Sequence, residues 1–146
     1  KNPNFVLTME TKGIPVAMMT AKMLNVPLVI ARRDSKAYEG SAVKINYISG
    51  ETGDRIETMA LARRAVTPGQ RALIIDDFMK GGGTLRGMHD LMREFDVEVV
   101  GTGVVIATAE PHLKRVEGVT ALMVLSEVDR EKGSAVVKPS DWIYED

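Results

Sequence analysis

Apolar and polar residues follow two different periodicities along the chain, and together they predict an α/β domain. Continuous apolar runs bounded by turn residues, at 5–9, 28–32 and 72–75, are typical of strands buried on both faces of a parallel sheet. Segments 14–24 and 84–95 instead place apolar residues at helical spacing. The apolar stripe of the second helix consists of Leu85, Met88, Leu91, Met92 and Phe95. We therefore predict a central, mostly parallel sheet flanked by helices.

The remaining β-rich segments predict a hairpin arm and a short tail of strands. Extended residues at 43–49 and 55–61 flank a Gly-Glu-Thr-Gly-Asp turn, which is typical of a β-hairpin. In an α/β domain such an arm covers a site, supports a dimer, or lies on the surface without either role. Three further strands are predicted at 97–108, 119–125 and 134–138, the last two as a terminal hairpin. No repeat or linker interrupts the pattern, so residues 1–146 are predicted to form one domain.

Composition excludes several classes of function. With 19 basic and 20 acidic residues the net charge is −1, so overall charge does not indicate a nucleic-acid surface. The chain has no cysteine, which excludes disulfides, thiolate catalysis and zinc–thiolate sites within it. No apolar run approaches the ~20 residues of a membrane span, and no segment resembles a signal peptide. We therefore expect a cytoplasmic protein with no membrane partner and no redox cofactor.

Residues 71–84 carry the strongest chemical signal. A buried apolar run delivers two adjacent acids, Asp76 and Asp77, and a glycine triplet at 81–83 then leads through Thr84 into the second helix. A glycine loop at a helix N-terminus presents backbone N–H groups to an anion, and glycine lets a phosphate lie against the backbone. Carboxylates accept hydrogen bonds from paired hydroxyls such as those of a ribose. This segment therefore predicts a site for a phosphorylated ribose.

The spacing of these residues excludes the commoner phosphate motifs. The P-loop needs Lys and Ser or Thr directly after its last glycine, whereas Thr84 and Leu85 follow here. The dinucleotide fingerprint fails because Arg86 stands three residues after Gly83. The segment resembles the phosphoribosyl-pyrophosphate signature of type I phosphoribosyltransferases: an apolar strand, two acids, a short spacer and Gly-Gly-Thr. An ordinary βα turn would explain the glycines, but it explains the acidic pair poorly.

Two other segments are candidates for contacts with an anion. Thr11, Lys12 and Gly13 stand directly before the first helix, where N–H groups could bind a second anion. Taken alone this is a plain turn; opposite the glycine loop, the functional interpretation is favoured. A basic cluster follows the end of the second strand, where it could meet a pyrophosphate or an acidic nucleotide rather than only solvent. It comprises Arg32, Arg33 and Lys36.

The histidines and the C-terminal aromatic residues are weaker candidates. Neither His89 nor His112 has a partner at metal-ligand or triad spacing, so both are predicted to be surface residues. Trp142 and Tyr144 could stack on a base, but anchoring the C-terminal tail is the favoured interpretation.

Four segments in order carry a more specific resemblance. They are Glu-Thr-Lys-Gly-Ile-Pro at 10–15, Ile-Ala-Arg-Arg-Asp-Ser-Lys at 30–36, Ile-Asn-Tyr-Ile-Ser-Gly at 45–50 and Ile-Ile-Asp-Asp-Phe-Met-Lys-Gly-Gly-Gly-Thr at 74–84. Together they resemble the purine operon repressors of Gram-positive-type bacteria. That family implies a type I phosphoribosyltransferase-like effector domain with a hairpin arm, which senses phosphoribosyl pyrophosphate (PRPP), and an N-terminal winged helix that binds operator DNA.

The resemblance also implies how the whole protein works. It implies a cytoplasmic homodimer that represses purine synthesis genes and releases DNA when PRPP accumulates. The chain begins with Lys1 rather than Met, almost directly on a strand, so we expect the winged helix to be absent from it. By itself the chain should then bind operator DNA poorly. Guanosine polyphosphates are a further expected ligand, because a cradle for phosphates and a ribose would admit them.

Carried over by position, the resemblance implies a set of ligand-binding residues. The acids would bind the ribose hydroxyls, the glycine loop the 5′-phosphate, and the loop at 11–13 the pyrophosphate. The basic cluster would add positive charge, and Mg²⁺ would be held mainly by the ligand and water. The whole set is Thr11, Lys12, Gly13, Arg32, Arg33, Lys36, Asp76, Asp77, Phe78, Met79, Lys80, Gly81, Gly82, Gly83 and Thr84.

Two classes of function remain open on this basis. The first is an effector sensor without turnover, which Lys80 favours because catalytic relatives commonly carry a small hydroxyl residue there. The second is a purine phosphoribosyltransferase, most like the xanthine enzyme, whose strand also runs into Ile-Asp-Asp-Phe. In that enzyme a purine displaces pyrophosphate through positioning and electrostatic stabilisation.

Overall fold

A computed structural model of the chain describes residues 2–34, 40–50 and 53–145. In this part of the chain the strands are β1 (Phe5–Met9), β2 (Leu28–Ala31), β3 (Ala42–Ser49), β4 (Arg55–Ala62), β5 (Arg71–Met79), β6 (Glu98–Thr108), β7 (Val119–Asp129) and β8 (Ser134–Pro139), and the α-helices are α1 (Ile14–Leu24) and α2 (Gly83–Glu94). Short 3₁₀ turns follow β4 and β8. Among the described residues, no helix combines the length and the apolar character needed to cross a membrane.

Six strands form the central sheet in the order β2-β1-β5-β6-β7-β8. All neighbours are parallel except β7 and β8, which pair as an antiparallel terminal hairpin. Strands β3 and β4 form a separate antiparallel hairpin, joined to the edge of β2 by a bridge between Arg32 and Ala60. The predicted mostly parallel sheet, hairpin arm and terminal hairpin are therefore confirmed.

Strand β5 is longer than its apolar run predicts. It continues to Met79 because β6 runs alongside it, pairing Asp76 with Val104 and Met79 with Ala107. The two acids consequently lie inside the strand rather than after it. Their backbone is therefore held by the sheet on the β6 side, which makes their position more rigid than a loop would.

The two helices cover opposite faces of the sheet. Val6 packs with Ala17 and Ala21 of α1, whereas its neighbour Leu7 joins the larger core under α2. This follows from the alternation of side chains along a strand. The predicted apolar stripe of α2 is fully buried in that larger core, together with Tyr47 and Met59 of the hairpin.

The hairpin and α2 approach each other closely. At Gly87 a Cβ would stand 2.8 Å from Cβ of Tyr47, so only glycine allows this contact. At Gly83, the first residue of α2, a Cβ would meet the carbonyl oxygen of Ile48. The hairpin arm is thus packed across the N-terminal end of α2, beside the predicted phosphate loop.

The C-terminal turn is attached to β7. The indole Nε1–H of Trp142 donates to the carbonyl of Ala121 at 2.7 Å. Trp142 therefore anchors the tail, which confirms the favoured interpretation, and neither it nor Tyr144 lies among the residues that line the cavity described below.

His89 is not the surface residue that the helical pattern predicts. Its ring is half-buried between α2 and β6, and Nε2 lies 2.9 Å from Oγ1 of Thr102, which is 6% exposed. The prediction was wrong because β6, in which Thr102 lies, supplies a partner that the helix sequence does not show. Desolvation by burial lowers the pKa of His89, and the nearby Asp90 opposes this only in part.

This environment predicts a pH-dependent stability. The unfolded chain binds the His89 proton more tightly than the folded chain, so the free energy of unfolding should fall as the pH drops below the ordinary pKa of histidine. Between about pH 7.5 and 5.5, the free energy of unfolding should fall less in His89→Gln than in the wild type. Urea denaturation at each pH measures it, with His112→Gln, an exposed loop position, as the matched control. Equal pH dependence in wild type and His89→Gln would contradict this prediction.

The strand order creates a crevice between β1 and β5. From β1 the chain crosses through α1 to β2, and from β5 it crosses through α2 to β6 on the other side. The two neighbouring strands therefore lead into connections that diverge to opposite faces. Open α/β sheets bind ligands at the carboxyl ends of the strands at such a point.

Candidate functional site

A cavity of about 560 Å³ opens at the carboxyl ends of β1 and β5. Its size is within the range of small-molecule sites. Four segments line it: the loop before α1, the end of β5 with its glycine loop, the tip of the hairpin, and a segment after β6. The cavity thus brings together 13 of the 15 residues that the sequence predicts, namely Thr11, Lys12, Gly13, Arg33, Asp76, Asp77, Phe78, Met79, Lys80, Gly81, Gly82, Gly83 and Thr84.

The two acids differ in their environment. Asp76 is only 7% exposed, and its Oδ1 accepts the backbone N–H of Asp77 at 2.9 Å. Asp77 is partly exposed at the cavity wall. In the free protein the backbone N–H of Asp77 thus bonds one oxygen of Asp76, while both acids line the cavity as hydrogen-bond acceptors.

The three glycines of the loop lie in three different environments. Gly81 has nothing within 4 Å of the place where a Cβ would stand, so its backbone is open to a ligand. Gly82 has a φ of +86°, which favours glycine, and it packs against Val116. Gly83 must be glycine because a Cβ there would meet the carbonyl oxygen of Ile48 in the hairpin. The sequence prediction attributed all three to a phosphate, whereas the structure leaves the backbone of Gly81 open and gives packing and backbone reasons for its two neighbours.

The loop before α1 forms the opposite wall. Its Glu10–Thr11 peptide bond is cis, Thr11 and Lys12 are exposed, and Gly13 is the N-cap of α1. In the described residues no side-chain hydrogen bond caps this helix, and the nearby protein anion is Asp76, whose Oδ1 lies 2.6 Å from the place where a Cβ of Gly13 would stand. The exposed Thr11 and Lys12, ahead of the positive end of the helix, suit an anionic ligand group.

The two described arginines of the basic cluster lie in different environments. Arg33 lines the cavity, and its backbone N–H donates to Oε1 of Glu10 at 2.7 Å. Arg32 is not among the lining residues; its Nη1 lies 3.8 Å from Oε2 of Glu10. Lys36 lies outside the described residues. Glu10 thus contacts both arginines, which the sequence analysis did not anticipate.

Sequence reasoning missed a second set of residues, in the segment after β6. Nζ of Lys114 donates to the carbonyl of Lys80 at 2.6 Å and to the carbonyl of Thr108 at 2.8 Å. The backbone N–H of Arg115 donates to the carbonyl of Gly81 at 2.8 Å. This segment therefore clamps the glycine loop through bonds to the carbonyls of Lys80 and Gly81. The available signal was its position, since it follows the carboxyl end of β6, the strand next to β5.

The ammonium of Lys114 is a structural cation of the site. Desolvation by burial lowers its pKa, and Glu110 opposes this shift. We expect Lys114→Met to loosen the glycine loop, because two carbonyls lose a charge-assisted donor. Amide hydrogen exchange at residues 80–83 should become about tenfold faster.

Lys132→Met is the matched control for this measurement. Lys132 is exposed in the turn between β7 and β8 and contacts Asp129 at 3.9 Å. In Lys132→Met, amide hydrogen exchange at residues 80–83 should equal that of the wild type. Unchanged exchange in Lys114→Met would show that the backbone bond of Arg115 suffices to hold the loop.

The hairpin tip completes the cavity. Ser49, Gly50, Gly53 and Asp54 line it, and Ser49 is only 3% exposed. The hairpin arm therefore covers part of this cavity, in agreement with one of the three roles that the sequence left open for it.

The donor set accommodates a divalent cation only with help from a ligand. No group of three or more His, Asp or Glu side chains in the described residues could hold a metal by itself. Asp76 and Asp77 nevertheless provide hard oxygen donors, and Mg²⁺ is commonly bound by one or two carboxylates together with phosphate oxygens. The residues present fit a cation that arrives with a phosphorylated ligand.

Comparison with known proteins places these features in a family. The sequence model described as "Phosphoribosyl transferase domain" matches residues 1–138. The "Purine biosynthesis transcriptional repressor PurR" of Bacillus subtilis is 44% identical over 138 residues, covering 94% of this chain and 48% of that protein. The "Purine biosynthesis transcriptional activator PurR" of Lactococcus lactis subsp. lactis is 48% identical over 104 residues, covering 71% of this chain and 38% of that protein. The chain thus spans about half the length of these relatives or less.

Enzymes are also among the relatives. A "Xanthine phosphoribosyltransferase" of Exiguobacterium is 38% identical over 102 residues, covering 69% of this chain and 52% of that protein. The structure of the APRTase from Giardia lamblia shares the fold with a TM-score of 0.75 at 18% identity, covering 86% of this chain and 71% of that chain. The predicted fold class and the predicted resemblance are both confirmed. The chain belongs to the phosphoribosyl transferase domain family, and the purine biosynthesis transcriptional regulators of Gram-positive bacteria are among its close relatives.

Proposed function

We propose that this domain binds phosphoribosyl pyrophosphate and acts as the effector sensor of a transcriptional regulator of purine synthesis genes. The observation that carries the proposal is the meeting of three features in one cavity: the acids of β5, the open backbone of Gly81 before α2, and the N-terminal end of α1. Strands β1 and β5 are neighbours in the sheet, about 4.8 Å apart, so the segments that follow them lie side by side.

In this proposal each segment contacts one part of the ligand. Asp76 and Asp77 accept hydrogen bonds from the ribose hydroxyls, and the backbone N–H groups of the glycine loop hold the 5′-phosphate. The loop before α1 faces the pyrophosphate, with positive charge from Lys12 and Arg33. Mg²⁺ accompanies the ligand and neutralises part of its charge.

The regulatory part of the proposal concerns the whole protein. The relatives named regulators are about twice as long as this chain, which leaves room for an N-terminal operator-binding domain. We propose that such a domain binds operator DNA, that the protein is a cytoplasmic homodimer, and that PRPP relieves DNA binding. Sedimentation equilibrium tests the dimer, and DNA binding of the full-length protein with and without PRPP tests the direction of regulation.

Calorimetric titration of the domain with PRPP and Mg²⁺ tests the sensing function. The expected result is one binding site per chain, with no release of pyrophosphate when purine bases are added. Guanosine tetraphosphate should compete with PRPP in the same titration, because it also carries phosphates on a ribose. The absence of PRPP binding by the folded domain and by the full-length protein would overturn the proposal.

A catalytic phosphoribosyltransferase is the second candidate function. The 38% identity to a xanthine phosphoribosyltransferase favours it. The cavity also has an apolar flank, formed by Phe78, which is 41% exposed, and Leu113, which is 86% exposed, and a purine base could lie there. Steady release of pyrophosphate with xanthine, guanine or hypoxanthine would establish turnover and replace the sensor proposal.

A further inference from the structure

Thr8 stands out because its hydroxyl is buried without a partner. The residue lies in β1, one position before the strand ends, and is 0% exposed. In the described part of the chain Oγ1 of Thr8 has no hydrogen-bond partner. Buried polar groups in native proteins nearly always have one, so an unpaired hydroxyl at this place requires an explanation.

The position of this hydroxyl connects the two halves of the cavity. A Cβ on Gly13 would stand 2.5 Å from Oγ1 of Thr8 and 2.6 Å from Oδ1 of Asp76. The hydroxyl and the carboxylate therefore flank the same point, directly beneath the N-cap of α1. Gly13 is needed there because any side chain would push these two oxygens apart.

We propose that the Thr8 hydroxyl is a positioning residue that donates a hydrogen bond to the carboxylate of Asp76 when a phosphorylated ribose is bound. In the free protein Oδ1 of Asp76 accepts a hydrogen bond from the backbone N–H of Asp77 at 2.9 Å. In this inference a ribose hydroxyl that binds the carboxylate turns it away from the Asp77 N–H, and the buried, unpaired hydroxyl of Thr8 flanks the same point at Gly13 and can then donate to it. The ligand therefore binds more tightly to the state in which the hydroxyl is paired than to the state in which it is not.

This inference rests on the proposed function, and it adds a residue that does not line the cavity. Thr8 acts through Asp76 and does not touch the ligand. It should therefore affect the ribose part of the ligand and leave the pyrophosphate part unchanged, a distinction that a merely structural role would not produce.

Two substitutions separate the hydroxyl from the methyl group of Thr8. Thr8→Val keeps the shape and removes the unpaired hydroxyl, so the free protein should be as stable as the wild type or more stable. Its affinity for PRPP should fall about tenfold, the effect of one hydrogen bond to a charged group. Thr8→Ser keeps the hydroxyl and loses a buried methyl group, so stability should fall while affinity stays within about threefold of the wild type.

The experiment combines thermal unfolding of the free domain with calorimetric titrations of PRPP, ribose 5-phosphate and inorganic pyrophosphate, each with Mg²⁺. Support consists of lower affinity of Thr8→Val for PRPP and ribose 5-phosphate, unchanged affinity for pyrophosphate, and rescue by Thr8→Ser.

Loss of stability in Thr8→Val with unchanged affinity would mean that a buried water satisfies the hydroxyl, and would overturn the inference. A loss confined to pyrophosphate would overturn it too, because Thr8 would then act through the loop at Gly13. If the wild type binds neither PRPP nor ribose 5-phosphate, the proposed function falls as well, whereas equal binding by wild type and Thr8→Val removes only the role of Thr8.

Discussion

Asp76→Asn and Asp77→Asn are each expected to weaken PRPP binding by about tenfold to a hundredfold while the domain remains folded. A carboxylate accepts charge-assisted hydrogen bonds from ribose hydroxyls, and replacing it with an amide removes the charge and one acceptor. In Asp76→Asn the remaining side-chain oxygen can still accept the N–H of Asp77, which preserves the end of β5. Calorimetric titration measures the affinity, and thermal unfolding verifies the fold.

Asp96→Asn is the matched control for both variants. Asp96 is exposed just after α2, at the end of the helix opposite the glycine loop, and its φ of +54° is one that asparagine also tolerates. The same chemical change at this position should leave the affinity unchanged. If either cavity variant binds PRPP like the wild type, that acid has no contact with the ribose.

Gly83→Ala is expected to lower the free energy of unfolding by about 3 kcal/mol, the upper part of the range for overpacking. The added methyl group would occupy the place of the Ile48 carbonyl, and neither the hairpin backbone nor the first turn of α2 has a flexible side chain there that could move aside. The hairpin would have to separate from α2, which exposes apolar surface around Tyr47 and Met59. Urea denaturation of the free domain measures the effect.

Gly81→Ala makes the same change two residues earlier, where nothing lies within 4 Å. Its stability should stay within about 0.5 kcal/mol of the wild type, as for substitutions that meet no neighbour. The methyl group would nevertheless lie where a phosphate approaches the backbone, so affinity for PRPP should fall. A stable Gly83→Ala variant would mean that the hairpin can shift away from the helix at little cost.

These two glycine variants distinguish the structural role of the loop from its binding role. Glycines in a phosphate motif are usually explained by the ligand alone. Here the loop is also held between the hairpin at Ile48 and the clamp formed by Lys114 and Arg115. Because the loop has partners in two separate segments, its conformation is restricted before a ligand binds, which lowers the entropic cost of binding.

The regulators among the relatives are named both repressor and activator, and the proposed role in purine gene regulation rests on likeness to them. The xanthine phosphoribosyltransferases share the same domain at lower identity. Pyrophosphate release by the domain is therefore the measurement that separates the two functional classes.

The sequence by itself determined the elements of the fold and the central motif. Apolar runs and the helical stripe from Leu85 to Phe95 predicted the sheet and α2, because these patterns follow directly from which faces must be buried. The acids and the glycine triplet predicted a phosphoribosyl site, because their chemistry is local to one strand and one loop. The four matching segments predicted the family, which the comparisons confirm.

Only the tertiary structure decided how distant segments meet. Three contacts join residues from different elements: His89 with Thr102, Lys114 with Lys80, and Gly83 with the carbonyl of Ile48. The same holds for Thr8, which reads as one more residue of a buried strand until Gly13 and Asp76 are placed beside it. No periodicity reports such contacts, because they depend on strand order and on the packing of the hairpin across α2. The sequence thus shows which residue types the site contains, whereas their contacts and burial are decided only in the folded domain.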